Sequence, residues 1–103
     1  MTRIGTIASL FEKKPHQWGL RGDPYLWREM REYFARTPIP ATADELTALI
    51  EAAFESLTGH SITETGNFFI ERFSHGGMSS GLIEPQFWKD QVIPILRERL
   101  AEK

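Results

Sequence analysis

The apolar positions along the chain fall into separate periodic blocks. Residues 6–14 read as a short helix that Pro15 ends, because the residue before a proline leaves the α region. After Asp23-Pro24, Leu26, Trp27, Met30, Tyr33 and Phe34 recur at helical spacing. Asp23 can accept a hydrogen bond from an orphan N–H at that start, and Pro24 suits the first helical position. Arg28, Glu32 and Arg36 stand four apart on the opposite face, a spacing that favours ion pairs. Thr37-Pro38-Ile39-Pro40 then predicts a stiff connector.

The next block predicts a helix over 43–58. Thr42 and Glu45 have the spacing of a capping box, in which each side chain satisfies an orphan donor of the other. Leu46, Leu49, Ile50, Ala53, Phe54 and Leu57 form one apolar stripe, and Gly59 stands where a left-handed cap belongs. Asp44, Glu51 and Glu55 share the outer face. The stretch from Ser61 to Ile83 supports two readings. Phe68-Phe69-Ile70 favours a strand, which Gly76-Gly77 can turn back through Met78 to Ile83 as a hairpin. Phe69 and Phe73 are also four apart, which allows a short helix; the hairpin is preferred. Pro85 opens a last helix that buries Phe87, Trp88, Val92, Ile95 and Leu96. Pro94 inside it removes a backbone donor and predicts a kink or a break. The sum is α+β: one globular domain over 1–103, with three or four helices packed on one short β-hairpin. An all-α domain is the alternative. Trp18, Trp27, Phe34, Leu49, Phe54, Phe69, Trp88 and Leu96 are the expected core.

Composition narrows the function classes. With 103 residues the chain has room for one core and little for a cofactor domain beside a separate substrate domain. There is no cysteine, which removes disulfide scaffolds, thiolate metal sites and thiol nucleophiles and fits a reducing, cytoplasmic setting. No apolar run approaches the ~20 residues of a membrane-spanning helix. Ile4 to Phe11, with Arg3 before it, reads as the start of the fold and not as an export signal, because Glu12-Lys13-Lys14-Pro15 follows where small residues should stand. The net charge of −2 argues against a nucleic-acid partner. Its distribution is uneven: residues 1–36 hold seven Lys or Arg and four Asp or Glu, whereas 37–71 hold six acids and no Lys or Arg. Either the two segments compensate each other, or the acidic face meets a basic partner.

Two glycine tracts carry the candidate chemistry. In Trp18-Gly19-Leu20-Arg21-Gly22-Asp23-Pro24, positive-φ turns account for the glycines, and an exposed Arg21 before a helix start would attract an anion. The plainer reading is a structural corner. In His75-Gly76-Gly77-Met78-Ser79-Ser80-Gly81, the glycine gap matches a P-loop, but Leu82 and Ile83 stand where Lys and Ser or Thr are needed, so that reading fails. A weaker anion nest and an ordinary turn both remain. His75 near Ser79 and Ser80 raises nucleophilic catalysis, yet no strand–elbow–helix context supports it. Metal binding is no better founded. His16, His60 and His75 are far apart, and Glu71 with His75 could ligate only from one helical turn.

On the tracts Trp18 to Trp27 and His75 to Gly81, with the Pro85-x-Phe87-Trp88 that follows, the chain resembles a family of short bacterial proteins with no established activity. The resemblance covers most of the chain after residue 10. It implies a bacterial, cytosolic setting and no reaction. Two functions are therefore expected. The first is a non-enzymatic protein that binds another protein through the face of Asp44, Glu51 and Glu55, inhibitor- or antitoxin-like in one form. The second is a binder of a small anionic or phosphate-containing ligand held by both glycine loops. Arg21 would supply charge, and Gly76, Gly77, Ser79 and Ser80 would supply donors. His75 is the one convincing candidate for a base. No cofactor, metal or membrane partner is expected.

Overall fold

The computed structural model describes residues 5–103. Arg3 and Ile4, which belong to the apolar N-terminal stretch, lie outside the described residues. The chain forms a short 3-10 helix (Ile7–Phe11), helix α1 (Asp23–Tyr33), helix α2 (Ala43–Thr58), a ribbon of strands β1 (Phe68–Phe69) and β2 (Leu82–Ile83), and a C-terminal helix. That helix runs as α3 (Pro85–Phe87), a π turn (Trp88–Val92) and α4 (Ile93–Ala101). The architecture is α+β.

Local chemistry sets most boundaries. The Thr42 hydroxyl accepts the Glu45 N–H at 3.1 Å and donates to the Glu45 carboxylate at 3.1 Å, which is one half of a capping box plus a side-chain bond. Gly59 adopts the left-handed conformation (φ 76°) that ends α2, and its N–H reaches the Glu55 carbonyl at 2.8 Å. The Thr37–Pro40 connector is extended: the Ile7 N–H bonds the Thr37 carbonyl and Thr6 bridges Pro38. This ties the 3-10 helix to the far end of α1. Pro94 does not break the last helix at its own position, since α4 runs through it. The π turn before it shifts the bonding, with the Ile93 N–H reaching the Trp88 carbonyl five residues back. A π turn already leaves a carbonyl without its usual donor, so the N–H that Pro94 lacks costs little there.

The core runs between α1, α2 and α4, closed by the 3-10 helix. Trp27, Phe34, Phe54, Trp88 and Leu96 are buried as the pattern predicts. Three other expected core residues are corrected. Leu49 is 36% exposed and Phe69 is 40% exposed, and Trp18 is half-buried against the rim of the core. Leu49 lies at the edge of its stripe, where no element among the described residues buries it. Phe69 ends the two-residue strand, and Ile70, which follows it, takes the inner side. Among the described residues Arg28, Glu32 and Arg36 form no ion pairs, and Arg36 lies beyond the end of α1 at Tyr33; Glu29 pairs instead with Arg72 at 3.1 Å.

The buried and exposed members of the α2 stripe should separate in stability. Ile50→Ala is expected to cost about 2–5 kcal/mol. Leu49→Ala is expected to cost about 1 kcal/mol or less, because it removes little buried surface. Urea unfolding of the two variants checks this, and equal losses would contradict the observed packing.

Candidate functional site

The two glycine tracts meet. β1 and β2 pair antiparallel, Phe68 opposite Ile83 and Phe69 opposite Leu82. The predicted hairpin therefore exists, but its ladder is short, and residues 70–81 form a long connection with two 3-10 turns rather than a tight Gly-Gly turn. On the other edge of β2, the Leu82 carbonyl accepts the Gly22 N–H at 2.7 Å. The first glycine tract thus docks against the end of the second.

This approach explains the glycines, and not by positive φ. Gly22 has φ −80°. A Cβ there would lie 2.5 Å from the Leu82 carbonyl oxygen. A Cβ on Gly19 would lie 2.8 Å from the Phe87 ring, and one on Gly81 would lie 2.8 Å from the Ile70 carbonyl oxygen. These three positions are glycine because backbones and rings touch there. Gly76 and Gly77 face open space.

Beneath the junction sits Asp23, fully buried. It does not cap α1 as the sequence suggests. Its carboxylate reaches backward and across, accepting the Leu20 N–H at 2.6 Å and the Trp88 indole N–H at 2.9 Å. Burial pushes its carboxyl up to about 6, against the pull of hydrogen bonds from Trp88, Leu20 and the Glu84 backbone, and the Glu84 charge adds to the rise.

Above the junction a cleft of about 700 Å³ opens between the loops, lined by Trp18, Leu20, Arg21, Tyr25, Ser79 and Leu82 among others. Trp18 is fixed by edge contact with Trp27, ring centroids 5.7 Å apart. Tyr25 stacks on His75 at 4.6 Å, so the second tract also braces the wall from outside. Arg21 is exposed and, among the described residues, has no ion-pair or side-chain hydrogen-bond partner. The Ser79 hydroxyl is likewise without a partner among the described residues. Ser80 is engaged internally. Its hydroxyl donates to the Gly77 carbonyl at 2.7 Å and accepts the His75 N–H at 3.0 Å.

The structure therefore brings Arg21, Ser79 and Ser80 to one cleft. Gly76 and Gly77 do not line it, and His75 borders it only through Tyr25. No His75 ring nitrogen bonds Ser79 or Ser80 among the described residues, so no nucleophile–base pair is formed. Glu71 lies in the 3-10 turn Glu71–Phe73 with His75 beyond it, so they do not share a helical turn. Among the described residues no group of three or more His, Asp or Glu could hold a metal ion. On the separate face of α2, Asp44 is ion-paired with Arg97 at 3.1 Å, while Glu51 and Glu55 are exposed. Sequence reasoning missed Tyr25, Trp18 and Leu82 as cleft walls. The signal was present in the aromatic residues flanking Arg21, which pattern alone assigns to the core. Family models, curated proteins and solved structures were compared with the chain, and none matches.

Two outcomes follow from the junction. Asp23 has a folded pKa of about 6, above its ordinary 3.8, so the folded state holds the proton more tightly than the unfolded chain does. Its stabilising contribution is complete below pH about 4 and is lost as pH rises through about 6. Asn at this position must set its amide nitrogen against one of two donors, so Asp23→Asn is less stable throughout. The stability advantage of the native chain over Asp23→Asn should nevertheless shrink by about 2 kcal/mol between pH 4 and pH 7. Chemical denaturation of both chains across that range reads the difference, and a constant or growing difference would contradict it. Gly22→Ala is expected to cost about 2 kcal/mol or more by forcing the loops apart, against about 0.5 kcal/mol or less for Gly77→Ala.

Proposed function

We propose that the protein binds a small anionic ligand carrying a flat or apolar group, in the cleft between the two glycine tracts. One observation carries this reading. A cationic side chain without a counter-ion among the described residues, Arg21, stands on the rim of a cleft whose walls are Trp18, Leu20, Tyr25 and Leu82. Apolar walls with a few polar groups are how small-ligand sites gain affinity and orientation together. The guanidinium supplies a planar fork for a phosphate or carboxylate, and the Ser79 hydroxyl supplies a further donor. The charge-assisted bond gains strength where the walls exclude water. The role is binding; no reaction is part of the proposal. A cytosolic setting and the family of short bacterial proteins belong to the same proposal, supported by the absence of cysteine and by the two tracts.

A protein partner on the acidic face of α2 is the weaker reading. Glu51 and Glu55 support it, but Asp44 is already matched to Arg97.

Phenyl phosphate tests the cleft, since it joins one flat ring to one anion. Amide shifts in an NMR titration should cluster at Leu20, Arg21, Tyr25, Ser79 and Leu82. Arg21→Ala should weaken binding about tenfold or more while leaving the melting temperature unchanged. Shifts scattered over the surface, or an unaffected Arg21→Ala, would overturn the reading.

A further inference from the structure

Arg21 belongs to two clefts. On its other side lies a second concavity of about 290 Å³, lined by Lys14, Arg21, Pro24, Tyr25, Trp27, Arg28 and Arg31. Arg21, Pro24 and Tyr25 are common to both, so the two clefts adjoin along one wall. Four cations line the second and no carboxylate does. None of the four is ion-paired among the described residues, although the chain as a whole carries two more acids than bases. The Arg28 guanidinium lies 5.8 Å from the Tyr25 ring centre, which ties the cationic compartment to the aromatic wall.

Four like charges around one small concavity repel one another in the free protein, and an anion seated among them relieves that repulsion. Arg28 and Arg31 come from one turn of α1, whereas Lys14 and Arg21 come from the loop before it. The charge is therefore converged by the fold and is not one helix's solvated face. A single phosphate would use Arg21 alone. A chain of phosphates starting at Arg21 would continue toward Arg28, Arg31 and Lys14.

Building on the binding reading above, we propose that the ligand is a polyphosphate joined to a flat ring system, of the nucleoside di- or triphosphate class. The ring lies between Trp18, Tyr25 and Leu82, and the phosphates run past Arg21 into the cationic compartment. Single-stranded nucleic acid offers similar chemistry, but the compartment is small, about 290 Å³, which suits a terminal phosphate chain.

Calorimetric titration of the full chain with adenosine monophosphate, adenosine triphosphate and inorganic tripolyphosphate tests this, on the native protein and on Arg28→Ala/Arg31→Ala. Both arginines are exposed, so the double variant should keep its fold, which circular dichroism checks. The native chain should bind the triphosphate about 30-fold more tightly than the monophosphate, and the double variant should reduce that ratio to about threefold, chiefly by weakening the triphosphate. Tripolyphosphate should bind at least about tenfold more weakly than adenosine triphosphate, because it leaves the aromatic cleft empty. Equal binding of mono- and triphosphate, or a ratio kept by the double variant, would overturn the second compartment and leave the anion cleft standing. Tripolyphosphate binding as tightly as adenosine triphosphate would overturn the joined site. Tighter binding of an oligodeoxyadenylate than of adenosine triphosphate would overturn the small-molecule assignment. No binding of any of these, together with no phenyl phosphate shifts, would remove both readings.

Discussion

The structure turns on a buried carboxylate. Asp23 holds the Leu20 amide, three residues before it, and the Trp88 indole, 65 residues after it. Through the first bond it closes the loop that carries Arg21. Through the second it fixes that loop to the start of the C-terminal helix. Two backbones then approach within hydrogen-bond distance at Gly22 and Leu82. Without that node the two glycine tracts would be ordinary surface loops, and Arg21 and Ser79 would share no cleft.

A carboxylate out of water is costly unless its oxygens are matched. Here each oxygen accepts a bond, and the remaining imbalance shows as a carboxyl held near pH 6. The arrangement couples the ionisation of one acid to the geometry of the site above it. It also separates two kinds of polar residue in the same tract. Asp23 spends its charge inside, on structure. Arg21, two positions earlier, keeps its charge outside, where a ligand can use it. The aromatic residues divide likewise: Trp27 and Trp88 fill the core with their indole N–H groups satisfied, while Trp18 and Tyr25 stay half-buried and form walls.

Helix α2 was the most legible element, because its start and end each depend on local chemistry at Thr42, Glu45 and Gly59. The ends of the hairpin were legible in Phe68-Phe69 and Leu82-Ile83, but its ladder was not, because glycines at 76 and 77 do not say how much chain the loop uses. Helical period could not show that Leu49 would be left uncovered, since the period fixes a face and not the width of the neighbour packed on it. The site was half legible. Arg21 and Ser79 stood out by type, whereas their meeting depends on Asp23 and Trp88, a pair no local pattern links. The glycines were noticed for the wrong physical reason: at 19, 22 and 81 they answer close contact and not a left-handed turn. The basic compartment was hidden in the same way. Lys14, Arg28 and Arg31 look like solvated surface until the loop before α1 folds back beside the helix.

The most direct measurement follows the node itself. In 15N-resolved NMR spectra recorded from pH 4 to pH 8, the Trp88 indole N–H and the Leu20 amide should shift together with one midpoint near pH 6, the value at which the buried Asp23 titrates. The Trp27 indole, bonded to the Phe11 carbonyl, should not follow them. Independent curves for the two donors, or no shift of either, would show that Asp23 does not join the first glycine tract to the C-terminal helix, and would contradict the account.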